Sequence, residues 1–206
     1  YFWNDEEPLF NTSNRFYSYM NINSVTAETD LQMNDFGSPQ EVNTVSGSAV
    51  IVRRSVIEEI GYLWEPFFAY YEETDLFARI KRAGYKIMYN PSLHIWHKNG
   101  ASSGAQGGSY FFYYHILRNR YMYAIRNFDD AYLRQFKVSY YRTALVSLKN
   151  IYIDSTHRRL AYSYIKAIIY IIRNKRSLVK DREELKKLSI KQPYNSDLIK
   201  GQLVIS

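Results

Sequence analysis

The sequence predicts an α/β unit over residues 1–109, followed by a basic, aromatic set of amphipathic helices over residues 110–206. Short β-branched runs alternate with helical patterns in the first part, whereas helical periodicity dominates the second. The charge also changes sign, since residues 1–97 carry 7 Lys+Arg and 13 Asp+Glu, and residues 98–206 carry 20 and 7. Such asymmetry favours a polyanionic surface as partner for the second part.

The first elements are short. Residues 1–44 are polar, and we interpret them as irregular structure with one short strand. The β-branched segment 45–53 predicts a buried strand. A helix over Val56–Ile60 then follows, with Ser55 as its N-cap and Gly61 as a left-handed C-cap.

A second helix is predicted from the acidic segment 72–75 to Ala83, because Leu76, Ile80 and Ala83 form one apolar face. Strands are expected at residues 85–89 and 93–96. The glycine- and serine-rich segment 99–109 is flexible enough to act as a lid.

The second part has the pattern of helices that lie in a membrane interface. Apolar and aromatic residues alternate with arginines after Tyr110, residues 160–172 are largely apolar, and a short helix is expected at 182–188. An anionic membrane surface is therefore the expected partner. Nucleic acid is the alternative, but no base-reading motif is present, so none is expected.

Two linked motifs carry a family resemblance. They are Gly-Tyr-Leu-Trp-Glu-Pro-Phe-Phe-Ala-Tyr-Tyr-Glu-Glu-Thr-Asp-Leu-Phe-Ala-Arg at 61–79 and Gly-Tyr-Lys-Ile-Met-Tyr-Asn-Pro-Ser-Leu-His-Ile-Trp-His-Lys at 84–98. Together with weaker similarity over residues 45–128, they resemble the rhamnosyltransferase-like members of the family 2 glycosyltransferases. The resemblance implies a GT-A fold and transfer of a sugar from a nucleotide-sugar donor to a lipid-linked or polysaccharide acceptor. It also implies a cytoplasmic location, peripheral to the inner face of the plasma membrane.

The resemblance assigns the acidic residues of the first motif. Glu73 stands at the position of the catalytic base, which takes the acceptor proton in an inverting transfer. Glu72 and Asp75 are expected on the acceptor side, and Asp75 also suits capping of the helix or an i, i+4 pair with Arg79. The alternative is that all three carboxylates only favour a helix N-terminus.

The resemblance also implies a divalent cation, Mg²⁺ or Mn²⁺, with His97 as a supporting ligand. The family's Asp-x-Asp motif and nucleotide-binding βαβ unit have no counterpart in this sequence. We therefore expect the chain to be the acceptor-side, C-terminal portion of such an enzyme. The alternatives are a non-catalytic fragment or a basic binding module.

The aromatic residues of the first motif have two possible roles, because they could stack on an acceptor sugar or belong to the core. We expect Phe67 and Phe68 to pack inward. Trp64 and Tyr71 are expected to line the acceptor site.

Overall fold

The computed structural model describes residues 17–22, 29–33, 38–42, 44–45, 47, 49–90 and 109–188. This part of the chain is mostly helical, with two antiparallel sheets of two strands each. The strands are β1 (Tyr17–Ile22), β2 (Thr29–Met33), β3 (Gln40–Val42) and β4 (Ile87–Tyr89). The helices are α1 (Arg54–Ile60), α2 (Glu72–Arg82), α3 (Tyr110–Asn127), α4 (Asp130–Lys149) and α5 (Ser155–Leu188). The α/β expectation is thus confirmed only in part, and the partial GT-A arrangement stays a prediction.

The strands differ from the sequence prediction in two places. The described residues among the first 44 form three strands instead of the one expected, with β1 paired to β2, and β3 paired to β4. The strand predicted at residues 45–53 is wrong, because the described residues of this segment form no strand. Ile51 is 91% exposed, so its β-branched side chain has no partner surface. Strand propensity depends on such packing more than on the backbone.

Helices α1 and α2 pack with β3 and β4 in one apolar cluster. The predicted apolar face of α2 is confirmed, since Leu76, Ile80 and Ala83 are all buried in this cluster. Gly61 ends α1 as predicted, with a positive φ of 84°, but its ψ of 166° lies outside the left-handed helical region that was expected. The predicted cap at Ser55 is wrong, because α1 begins at Arg54 and has no side-chain cap.

Residues 110–188 of the second part form three helices. Ser109 caps α3 by accepting a hydrogen bond from the backbone N–H of Phe112, and Asp129 caps α4 in the same way. The short helix predicted at residues 182–188 is instead the end of α5, which runs for 34 residues. None of the described helices combines the length and apolarity needed to cross a bilayer.

The helices also pack onto the aromatic loop that precedes α2. Phe67, Tyr71 and Ala78 belong to the same apolar cluster as Met122 and Tyr123 of α3. This cluster crosses the predicted division between residues 109 and 110, which coincides with the start of α3. Helix α3 therefore shares an apolar core with α2 and with the loop that precedes α2. The division into two domains stays a prediction.

Candidate active site

The loop leading into α2 has an unusual backbone. Phe68, Tyr70 and Tyr71 have φ angles of 61°, 66° and 71° although none of them is glycine. The left-handed conformation costs an L-residue about 1–2 kcal/mol. Such strain persists only where surrounding contacts impose it, and it is concentrated at functional sites.

Two adjacent side chains of α3 supply those contacts. Asn119 is fully buried, and its Nδ2 lies 2.6–2.8 Å from the carbonyl oxygens of Phe67, Ala69 and Tyr70. Arg118 donates through Nη2 at 2.9 Å to the carbonyl oxygens of Pro66 and Phe67. Because buried carbonyl groups need donors, this pair of residues holds the loop in its strained path and fixes where α2 begins.

Glu73 is the second residue of α2 and is held closely. The backbone N–H groups of Glu73 and Thr74 lie near its carboxylate and lower its pKa. A Cβ atom added to Gly47 would lie 3.0 Å from Cγ of Glu73 and 3.1 Å from its Cβ. Glycine at position 47 therefore allows the preceding loop to pass directly over the Glu73 side chain.

One carboxylate oxygen of Glu73 is available for chemistry. Oε2 is buried and has no hydrogen-bond partner in the part of the chain that the structure describes, and the same is true of Oε2 of Glu72. Burial, together with the nearby Glu72 carboxylate, raises the pKa of Glu73 from 4.5 to about 7, while the two backbone N–H groups oppose the rise. A general base is most effective when its pKa lies near the working pH, so Glu73 suits that role.

Asp75 lies two residues farther along α2, and its pKa is shifted in the opposite direction. Arg126 donates to its carboxylate at 2.8 and 3.1 Å, Asn127 at 2.9 Å and Arg79 at 3.0 Å. Burial by itself raises the pKa of Asp75, but the charges and hydrogen bonds of Arg126, Arg79 and Asn127 outweigh it and hold the pKa well below its usual range.

The predicted pair between Asp75 and Arg79 is confirmed. The predicted place of Asp75 in the acceptor site is corrected, because its side chain is fully buried and its oxygens are already bonded. Asp75 instead joins α2 to α3. Arg79 extends this connection by donating to the carbonyl oxygens of Ile60, Gly61 and Tyr62 at 2.8–2.9 Å.

The aromatic residues are arranged differently from the prediction. Phe67 is fully buried as expected, but Phe68 is 75% exposed, so the expectation that it packs inward is wrong. The left-handed backbone at Phe68 turns this side chain outward. Tyr71 is only 5% exposed and packs against Tyr123, which gives it a place in the core instead of an open acceptor surface.

Trp64 is partly buried beside the Asp75 cluster. The guanidinium carbon of Arg126 lies 3.9 Å from the centre of a Trp64 ring, and Phe67 packs edge-on against the same side chain. One face of Trp64 is thus covered by the residue that neutralises Asp75. Contact of the remaining surface with an acceptor stays a prediction.

The implied metal site has no counterpart in the described residues. His97, the predicted ligand, lies outside them, and so do the predicted strand at 93–96 and nearly all of the predicted lid. Among the residues that the structure describes, no group of three or more His, Asp or Glu side chains is placed to hold a metal ion. Glu72 and Glu73 alone do not complete such a site.

Sequence reasoning missed the supporting residues on α3. The pairs Arg118-Asn119 and Arg126-Asn127 both lie on this helix, and both bond to the segment around α2. Asparagine is a poor helix former, so its recurrence after arginine was a signal for buried polar contacts. The pattern did not indicate which groups would be contacted.

The chain is similar to known enzymes over part of its length. It is 35% identical over 78 residues to the N-acetylglucosaminyl-diphospho-decaprenol L-rhamnosyltransferase of Mycobacterium tuberculosis, in each of two strains. The similar segment covers 38% of this chain and only 25% of each relative. No protein-family model and no solved structure matches the chain. The similarity supports a glycosyltransferase relationship for this protein.

Proposed function

We propose that this chain forms the acceptor-activating side of an inverting glycosyltransferase, which transfers a sugar from a nucleotide-sugar donor to a lipid-linked acceptor. Glu73 is its general base. The observation that carries the proposal is the Oε2 atom of Glu73, which is buried, unpartnered among the described residues and part of a carboxyl group with a pKa of about 7. The similarity to rhamnosyltransferases whose name includes a diphospho-decaprenol compound supports the lipid-linked acceptor.

The reaction is a single displacement. The Glu73 carboxylate takes the proton of the acceptor hydroxyl while the hydroxyl oxygen attacks the anomeric carbon of the donor sugar. The new glycosidic bond forms as the bond to the nucleoside diphosphate breaks on the opposite face, so the configuration inverts. The proton remains on Glu73, and the diphosphate leaves with the electron pair of the broken bond.

The contacts that fix the position of Glu73 suit this proton transfer. The strained loop and its contacts with Asn119 fix the start of α2, and Gly47 limits the space beside the Glu73 side chain. A base held in one position avoids the entropic cost of finding the acceptor hydroxyl. His97 remains the proposed ligand of a divalent cation, and none of the steps above depends on it.

The decisive experiment is Glu73→Gln in the full-length product of the gene. With a nucleotide-sugar and a lipid-linked acceptor, we expect the turnover rate to fall by about 10²–10⁴-fold, the usual contribution of a general base. Turnover by the parent protein should rise with pH and level off above about 7, because the base must be ionised.

The matched control is Glu58→Gln. Glu58 lies on the surface of α1, where it pairs with the exposed Arg54, so its loss should leave turnover unchanged. A Glu73→Gln variant that folds and keeps at least a third of the parent rate would contradict the proposal and favour a non-catalytic role.

A further inference from the structure

Helix α5 carries a second apolar face that the described chain leaves uncovered. Its first apolar face is buried, with Ala161, Tyr164, Ala167 and Ile171 each at most 5% exposed. On its other side, the exposed fractions of Tyr162, Ile165, Ile169, Ile172 and Val179 lie between 38% and 65%. Helices of soluble proteins usually present polar residues on the face that points away from the core.

These exposed residues form one continuous stripe. The steps between Tyr162, Ile165, Ile169 and Ile172 are three, four and three residues, which places them on the same side of a helix. Residues three and four positions apart are neighbours on a helix surface. The stripe therefore presents a single apolar band over about three turns, rather than scattered exposed side chains.

The charges around the part of the stripe from Tyr162 to Ile172 are all of one sign, whereas Lys180 at its far end pairs with the exposed Glu184. Residues 155–180 contain seven lysines and arginines and no aspartate or glutamate. All seven are exposed: Arg158, Arg159, Lys166, Arg173, Lys175, Arg176 and Lys180. An apolar band with basic flanks is the pattern of a helix that lies in a membrane interface.

The positive charge around the stripe distinguishes between the partners that could cover it. A second copy of α5 would bring seven further positive charges against the first seven, and like charges across an interface oppose association. Anionic lipid headgroups instead attract each Lys or Arg near the surface by about 1 kcal/mol. We propose that the exposed face of α5 docks onto an anionic lipid bilayer, with the band from Tyr162 to Ile172 inserted among the headgroups.

The turn before α5 also exposes apolar side chains. Tyr152 and Ile153 are 92% and 63% exposed, and they directly precede the N-terminal end of α5. Between residues 131 and 180, Asp154 is the only acidic residue. This docking goes beyond the proposed function, because it involves none of the residues that surround Glu73.

Vesicle co-sedimentation tests the proposal directly. We expect the whole chain to bind vesicles of phosphatidylcholine with 30% phosphatidylglycerol at least tenfold more tightly than vesicles of phosphatidylcholine alone. The triple variant Ile165→Ser, Ile169→Ser, Ile172→Ser should lose about tenfold or more of that binding, because the apolar surface available for insertion is removed. These side chains are exposed in the folded protein, so thermal unfolding should change little.

The matched control replaces three apolar residues that are 50–91% exposed elsewhere on the protein: Ile51→Ser, Leu63→Ser and Met88→Ser. Its vesicle binding should equal that of the parent. Equal binding by the α5 triple variant and the parent would overturn the proposal. So would equal binding to neutral and anionic vesicles, or displacement from vesicles by RNA at equal charge concentration.

A site-specific label locates the inserted face. The chain has no cysteine, so a nitroxide on Ile169→Cys reports from one position, and Ile51→Cys serves as the solvent-facing reference. With anionic vesicles, the label at position 169 should become accessible to membrane-dissolved oxygen and shielded from an aqueous nickel chelate. A label at position 169 that stays as accessible to the chelate as the one at position 51 would contradict docking by this face.

Discussion

The two ends of the first turn of α2 place carboxylates in opposite environments. At Glu73 one oxygen has no partner in the described chain, and the pKa is raised to about 7. At Asp75 both oxygens are bonded to Arg126, Arg79 and Asn127, and the pKa lies well below its usual range. Burial acts on both groups in the same direction, so the difference comes from Arg126 and Asn127 of α3 and Arg79 of α2 at Asp75, and from the Glu72 carboxylate beside Glu73. The comparison separates a carboxylate with an unpartnered oxygen among the described residues from one whose oxygens are all bonded within the fold.

The largest change is expected from Asp75→Ala, which should lower the free energy of unfolding. Removing the carboxylate leaves two buried arginines without their common partner, and breaking a buried ion pair from one side costs about 3–5 kcal/mol. Urea unfolding measures this loss. The control Glu184→Ala breaks an exposed pair with Lys180 and should change the free energy of unfolding by less than about 0.5 kcal/mol. Similar losses in the two variants would mean that Asp75 does not have the structural role assigned to it.

A smaller loss in the free energy of unfolding is expected from Asn119→Ala. Three loop carbonyls would lose their amide donor, and an unmet buried hydrogen bond costs about 1–3 kcal/mol. The freed loop should also be cut faster by protease between residues 66 and 71. Asn174→Ala is the matched control, because Asn174 bonds only within its own helix, to the carbonyl of Tyr170. Unchanged cleavage in Asn119→Ala would show that other contacts hold the loop.

A change of similar size but opposite sign, confined to high pH, is expected from Glu73→Gln, which should gain stability. Because folding raises the pKa of Glu73, its contribution to stability is fully present below pH 4.5 and is lost as the pH rises through about 7. Glutamine does not ionise, so the variant avoids this loss. We expect it to be more stable than the parent by about 1–3 kcal/mol at pH 8, and by much less at pH 4.5. Unfolding curves at the two pH values test this, and a pH-independent difference would refute the raised pKa.

Much of the local structure was predictable. The apolar spacing of Leu76, Ile80 and Ala83 identified α2 and its buried face, and Gly61 marked the end of α1. Helix patterns depend on neighbours three and four residues apart, which the sequence displays directly. The strand expected at residues 45–53 failed because strands need a partner that no local pattern specifies.

The candidate site was only partly predictable. The motif around Glu73 indicated an acidic helix start, but Phe68 and Tyr71 exchanged their expected orientations. Positive φ angles at three of the four residues 68–71 accompany those orientations, and aromatic residues give no local signal for that conformation. The loop adopts it because Arg118 and Asn119, some 50 residues away in sequence, bond to its carbonyl groups.

The sequence by itself determined that this protein has an acidic segment at a helix N-terminus, followed by basic amphipathic helices. Composition, charge and helical spacing are local properties, and they hold whatever the chain packs against. Only the tertiary structure decided that Asp75 is neutralised while Glu73 is not, because Arg126 and Asn127 are 51 and 52 residues away from Asp75 in sequence. The pKa of a buried carboxyl group depends on the charges and donors brought to it by folding, and those partners are set by long-range packing.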